Sequence, residues 1–193
     1  MILKSSQIGV SSDELSVRSL IFFIVELKNL LNYIGSRMLQ YDETISIAES
    51  VTSGFLQFSF SQMKDASRFF VGGMTVYGQD EKVSLLEVDP SEAENTNSVS
   101  SLVADTMALN VAKLYKTDWS IAVTGYAAPV EESNKKLYAY FSISYKGTII
   151  LSERLDLHSR TKAVNAQLYY TEFILGCFKL ELDKLKQERV VNG

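Results

Sequence analysis

A single histidine, a single cysteine and the lack of any long apolar run remove several kinds of protein at once. His158 cannot build a histidine-rich metal centre, and no Cys or His pairs stand at ligand spacing, so no metal is expected. The same scarcity weighs against a Ser-His-Asp triad, because His158 falls just before the last predicted helix, where a capping or surface role is the simpler reading. Cys177 has no partner for an internal disulfide and lies in an apolar helical segment, which fits a reducing, cytoplasmic setting. The 19 Lys and Arg residues are scattered and the net charge is −4. No basic run is interleaved with aromatics, so no nucleic-acid partner is expected. The longest early apolar run, Leu20 to Val25, is broken by Glu26 and Lys28, and nothing near Met1 has the order of a signal peptide. Neither export nor a membrane partner is expected. A Walker A sequence is absent, and Gly72-Gly73 lacks the dinucleotide-binding pattern.

What is present is enough apolar sequence for one well-buried domain over residues 1–193, with 46% hydrophobic residues and residues 1–10 read as a loose arm. Ser11 and Glu14 have the form of a capping box leading into a helix from Leu15 to Leu39, with Leu20, Phe23, Ile24, Leu27, Leu30, Leu31 and Ile34 at helical spacing. Gly35-Ser36 is expected to fray or bend it. Thr44-Ile45-Ser46-Ile47 alternates like a strand and passes through Val51-Thr52-Ser53-Gly54 into a helix over 55–63. A buried strand containing Gly72-Gly73 is predicted over 69–77, followed by a short helix to Leu86. Pro90 falls near N1 of another, with Ser91 and Glu94 as its capping box. Asn97-Ser98 is expected to cap a helix over 99–114, and Trp119 to Gly125 reads as a strand. After a loop over 126–136, the strands 137–145 and 148–157 form a hairpin around Lys146-Gly147, and a helix over 159–186 closes the domain. Strands alternating with helices and then a hairpin predict an α/β fold: a three-layer α/β/α sandwich, its mixed sheet covered on both faces.

Open α/β sheets place their sites at strand ends, and four features fall there: Ser50 with Thr52, Tyr77 leading to Lys82, Thr124-Gly125, and the 126–136 loop. At a strand-to-helix junction, the Ser50 hydroxyl is expected beside unpaired N–H groups of the helix N-terminus, which can hold an oxyanion. The alternative is that Ser50 and Thr52 simply cap that helix. A lysine can replace histidine as the base of a serine nucleophile if burial lowers its pKa, and Lys82 is the candidate, against the alternative of a surface lysine on a short helix. Ser-x-x-Lys also occurs at Ser61 to Lys64 and at Ser133 to Lys136, without the companion motifs that give it meaning.

Ala48 to Gly54, Tyr77 to Lys82 and Val123 to Pro129 resemble, in that order, three stretches of the C-terminal domain of CinA, the competence/damage-inducible protein, a family that acts as a nicotinamide-nucleotide amidase. The family's Ala-Glu-Ser-Cys-Thr-Gly-Gly is matched by Ala48-Glu49-Ser50-Val51-Thr52-Ser53-Gly54. Its Tyr-Ser-Asn-x-x-Lys is matched by Tyr77-Gly78-Gln79-Asp80-Glu81-Lys82, and its Val-Thr-Gly-Ile-Ala-Gly-Pro by Val123-Thr124-Gly125-Tyr126-Ala127-Ala128-Pro129. Val88-Asp89-Pro90 and Ser98-Val99-Ser100 echo two weaker stretches.

The resemblance implies a cofactor-free and metal-free hydrolysis of nicotinamide mononucleotide to nicotinic acid mononucleotide and ammonia. In that reading Ser50 is the nucleophile, Lys82 its base and Tyr77 a helper in orienting or relaying the proton. Thr52, Gly54, Thr124, Gly125 and Arg160 contribute to a site for a small nucleotide substrate, and a homodimer is the default assembly. The departures are Val51, Ser53 in place of a glycine, Gln79, the bulkier and more acidic loop 127–132, and Asn165 where a second arginine is lost. Arg160 replaces the first arginine only after a one-residue slip. The pattern therefore also fits a diverged, non-catalytic domain that binds a nucleotide or a protein partner.

Overall fold

A computed structural model describes residues 12–191, with side chains over 27–189; the N-terminal arm, the Ser11–Glu14 capping box and the first part of the predicted helical stripe lie outside these side chains. Five strands form one sheet in the order β2-β1-β3-β4-β5. They are β1 (Ile45–Glu49), β2 (Phe70–Thr75), β3 (Trp119–Gly125), β4 (Leu137–Tyr145) and β5 (Thr148–Leu157). The first three run parallel, while β4 and β5 are antiparallel additions, the last pair turning at Lys146-Gly147 where both residues have positive φ. The sheet is therefore mixed, as the order of sequence signals predicts.

Period-two alternation decides which layer each strand residue joins. Ile45, Ile47, Trp119, Ile121, Val123, Phe141 and Ile143 face a large apolar core shared with α1 (Ser12–Tyr41), α2 (Phe55–Ser61) and α6 (Ala163–Val191). Ala48 and Ala122 face a second core with α3 (Gln79–Leu86), α4 (Pro90–Asn95) and α5 (Ser101–Tyr115). The second face is built of small residues so that α5 can lie close. Ser120 Oγ donates to the Ala108 carbonyl of α5, and Ser142 Oγ to Asp105. Glu43 ties the far edge together, accepting from Trp119 Nε1 and Tyr145 and pairing with Arg189 near the end of α6.

Several local expectations change. Helix α1 runs through Gly35 without a break, and the glycine there serves close packing, since a Cβ would stand 3.3 Å from Met63 Cβ. Strand β2 is a half-buried edge strand, not a buried one. Its Gly73 is nonetheless required by contact, since a Cβ there would stand 2.6 Å from the Ile47 carbonyl oxygen. The cap of α4 is Asp89, whose carboxylate accepts from Glu92 N, with Pro90 in the first turn. The cap of α5 is Ser100, while Asn97 and Ser98 both hold left-handed backbone in the loop before it. Among the described residues no helix is long and apolar enough to cross a membrane.

Candidate active site

The parallel strands bring Ser50, Tyr77 and the Thr124-Gly125 pair to one edge of the sheet, where a cavity of about 460 Å³ opens. Ser50 directly follows β1, and its N–H donates to the Val123 carbonyl of β3, so the main chain is fixed by the sheet before it turns. Ser53 N donates back to the Ser50 carbonyl at 3.1 Å, and Ser53 and Gly54 both have positive φ, at 51° and 100°. A φ of 100° is the reason for glycine at 54, since nothing stands within 4 Å of where its Cβ would be. Ser53 occupies the left-handed region with a side chain, the strained choice of the two.

Neither Ser50 nor Thr52 caps α2. Glu49, fully buried, does so: its carboxylate accepts from the N–H groups of Gly54, Leu56 and Gln57 and from Thr52 Oγ1. The helix N–H groups expected beside the Ser50 hydroxyl are thus already taken, because a carboxylate one residue before the turn outcompetes any neutral acceptor for them. The turn amides of Val51 and Thr52 remain, with no acceptor among the described residues. Thr52 and Gly54 support the turn from behind and do not line the cavity.

Lys82 lines the cavity and is only 3% exposed, so it is not a surface lysine. Its Nζ donates to the carbonyls of Tyr77 at 3.0 Å and Gly78 at 3.4 Å. Burial disfavours the ammonium form and brings its pKa down from 10.5 to about 8, with Glu81 opposing the shift. Ser50 and Lys82 share the cavity, but no hydrogen bond joins their side chains among the described residues. Tyr77 meets Lys82 through its main-chain oxygen, while the residue as a whole is 74% exposed at the cavity.

Thr124 is buried and lines the cavity, its Oγ1 donating to the Ser98 carbonyl. Gly125 lines it too, and must be glycine because a Cβ would stand 2.6 Å from Ala139 Cα of the neighbouring strand. Gln79 lies on the wall. Arg160 lies outside, exposed in the segment before α6, with its N–H on His158 Nδ1. The end of α6 that does reach the cavity contributes Ala163 and Gln167, and Gln167 Nε2 donates to the Val51 carbonyl at 3.0 Å. Sequence reasoning gave Glu49 no role of its own and did not single out Gln167, while it read Asn97 and Ser98 as a helix cap and Glu132 as part of an acidic loop. Glu49 ends β1 six residues before α2, too far for a capping residue to be read from the sequence. Gln167, 116 positions from Val51, carried no local signal.

A family model described as the CinA C-terminal domain matches residues 27–172. A CinA-like protein of Microcystis aeruginosa is 33% identical over 162 residues, which cover 82% of this chain and 39% of that protein. One of Crocosphaera subtropica is 38% identical over 96 residues, covering 50% and 23%. The chain spans well under half the length of these curated relatives. Among solved structures, a competence or damage-inducible protein from Enterobacter asburiae superposes with a TM-score of 0.75 at 21% identity, over 81% of this chain and 98% of its own. A competence/damage inducible protein from Agrobacterium tumefaciens gives 0.74 at 21% identity, over 81% and 95%. These two likenesses are of fold.

Proposed function

The chain belongs to the CinA C-terminal domain family, and from that premise we propose that the cavity hydrolyses the carboxamide of nicotinamide mononucleotide or a related amide, releasing ammonia. Ser50 Oγ attacks the amide carbon while neutral Lys82 takes the hydroxyl proton. Two N–H bonds of an uncharged amine serve the carbonyls of Tyr77 and Gly78, which leaves its lone pair for that proton. Ser50 and Lys82 have to close onto one another when substrate binds, as catalytic hydrogen bonds often do. The turn amides of Val51 and Thr52 hold the oxyanion, a contribution of roughly 3 kcal/mol per donor. The C–N bond then breaks as Lys82 returns its proton to the departing nitrogen, giving ammonia and an acyl-Ser50 ester. Water, deprotonated by the same amine, attacks the ester, and Lys82 then hands that proton to Ser50 Oγ as the acid departs, which restores the serine and the neutral amine.

The observation that carries this reading is the burial of Lys82 in the cavity that Ser50 lines, with its pKa lowered. The test is ammonia release from nicotinamide mononucleotide by the wild type, Ser50→Ala and Lys82→Met. Loss in both variants with the fold intact supports it, and equal rates in wild type and Ser50→Ala end it. A second reading, a non-catalytic domain that binds a nucleotide or protein partner, is favoured by the unjoined Ser50 and Lys82 side chains. Tight nucleotide binding without turnover would select it. The proposal also includes a cytoplasmic location and a dimer, for which the apolar outer face of α6 offers a surface.

A further inference from the structure

Where the family stretch Val-Thr-Gly-Ile carries isoleucine, this chain carries Tyr126, which lines the cavity together with Asn97. Tyr126 is half-buried and held on several sides. Its N–H donates to the Tyr138 carbonyl at 2.9 Å, its carbonyl accepts from the Tyr170 hydroxyl at 3.0 Å, and its ring stands edge-on to that of Tyr138 with centroids 5.3 Å apart. Asn97 Nδ2 donates to Tyr126 Oη at 3.1 Å, and this contact is exposed, so a ligand in the cavity can reach it. Asn97 holds left-handed backbone at φ 51°, which asparagine tolerates, and the neighbouring Ser98 carbonyl accepts from Thr124 Oγ1. Two links therefore tie the Asn97 turn to the end of β3. Val123, whose carbonyl accepts from Ser50 N, lies three residues before Tyr126, about 10 Å of extended chain.

The hydrogen-bonding capacity of this pair is only partly used. Tyr126 Oη accepts from Asn97, while its own O–H has no acceptor and Asn97 Oδ1 has no donor among the described residues. Turning the Asn97 amide over exchanges the roles and still leaves one donor beside one acceptor. A donor and an acceptor held side by side match two adjacent hydroxyls, one accepting from the protein and one donating to it. They do not match a phosphate, which offers acceptors only. Isoleucine at 126 would supply neither group.

We propose that Asn97 and Tyr126 form a specificity subsite for a vicinal diol on the body of the amide substrate, such as the two ring hydroxyls of a ribosyl group. The diol role rests on the amidase reading for the fate of the amide, but selection is measured separately from turnover. Calorimetric titration of the Ser50→Ala protein with nicotinamide mononucleotide and with its 2′,3′-dideoxy counterpart reads the selection. The mononucleotide is expected to bind about twentyfold tighter, the order that two hydrogen bonds produce. Tyr126→Phe keeps the ring against Tyr138, and Asn97→Gly keeps the left-handed turn. Added singly, each weakens the mononucleotide about fivefold and leaves the dideoxy compound within about twofold, which shows the cavity intact. Equal binding of the two compounds overturns the proposal, as does a gap that both variants leave unchanged or failure of the mononucleotide to bind. Ammonia release from the mononucleotide by the wild type is read alongside. Release with equal binding removes the subsite and leaves the amidase reading, and selective binding without release does the reverse.

Discussion

Lys82 is held where a charge is costly. With its pKa near 8 in the folded protein and 10.5 when exposed, the unfolded chain binds more protons between those values. Stability therefore rises with pH from about 8 toward 10.5, and below about 8 the full cost is present, on the order of 3 kcal/mol from the size of the shift. Two outcomes follow at this position. If neutral Lys82 is the base, kcat/KM for amide hydrolysis climbs with pH and levels off above about 8, a profile that stopped-flow or discontinuous ammonia assays across pH 6 to 10 would reveal. A flat profile over that range would exclude Lys82 as the base. Lys82→Met, while abolishing activity, is expected to raise stability at pH 7 by roughly 1–3 kcal/mol, seen as a higher urea midpoint, because an apolar chain of similar length fills the site without a buried charge.

At the scale of elements, the β1–turn–α2 unit depends on Glu49 more than on the serine and threonine around it. One buried carboxylate satisfies three helix N–H groups and the Thr52 hydroxyl, and it is this that leaves the next turn free to present Ser50 and the amides of Val51 and Thr52. Glu49→Ala strands four donors in the interior and is expected to cost about 3–5 kcal/mol, measured by urea denaturation. Glu49→Gln keeps one acceptor oxygen, and its cost should fall between Ala and wild type. A loss under about 1 kcal/mol for the alanine variant would mean that water replaces the carboxylate, against the burial described above. Gln167 links the same turn to α6 through the Val51 carbonyl, so the nucleophile's turn is held from the sheet by Val123 and from the helix layer by Gln167.

For the whole molecule, helix α6 covers one sheet face while leaving Tyr169 and Phe173 substantially exposed beside Leu155 and Leu157 of the edge strand β5, with Leu180 exposed further along beside Leu151. An apolar stripe on a sheet edge is the surface the proposed dimer would bury. Light scattering behind size exclusion is expected to give twice the chain mass at micromolar concentration, and Leu180→Lys should shift the population toward monomer. A wild-type monomer at that concentration would remove the dimer from the proposal.

Strand and helix existence was written locally. Alternation in 44–47 and 137–157, the Lys146-Gly147 turn and the apolar spacing before Gly35 each rest on neighbours in sequence, and the elements appear where those signals fall. Caps were less legible. Asp89 and Ser100 displaced the expected Ser91 and Asn97-Ser98, since several adjacent residues could serve and only the three-dimensional turn chooses among them.

The sequence by itself determined that a serine follows one strand and that a lysine lies 32 positions on, because both belong to short local motifs. Tertiary structure alone decided what those residues face. Burial of Lys82 depends on chain segments remote from it and sets its charge. The helix N–H groups go to Glu49 and not to an oxyanion because a carboxylate one residue away reaches them first. Ser98 is held in the wall of the same cavity because Thr124 Oγ1 of β3, 26 positions further on, donates to its carbonyl. Contacts between distant residues fix desolvation and hydrogen-bond supply, and no periodicity along the chain encodes either.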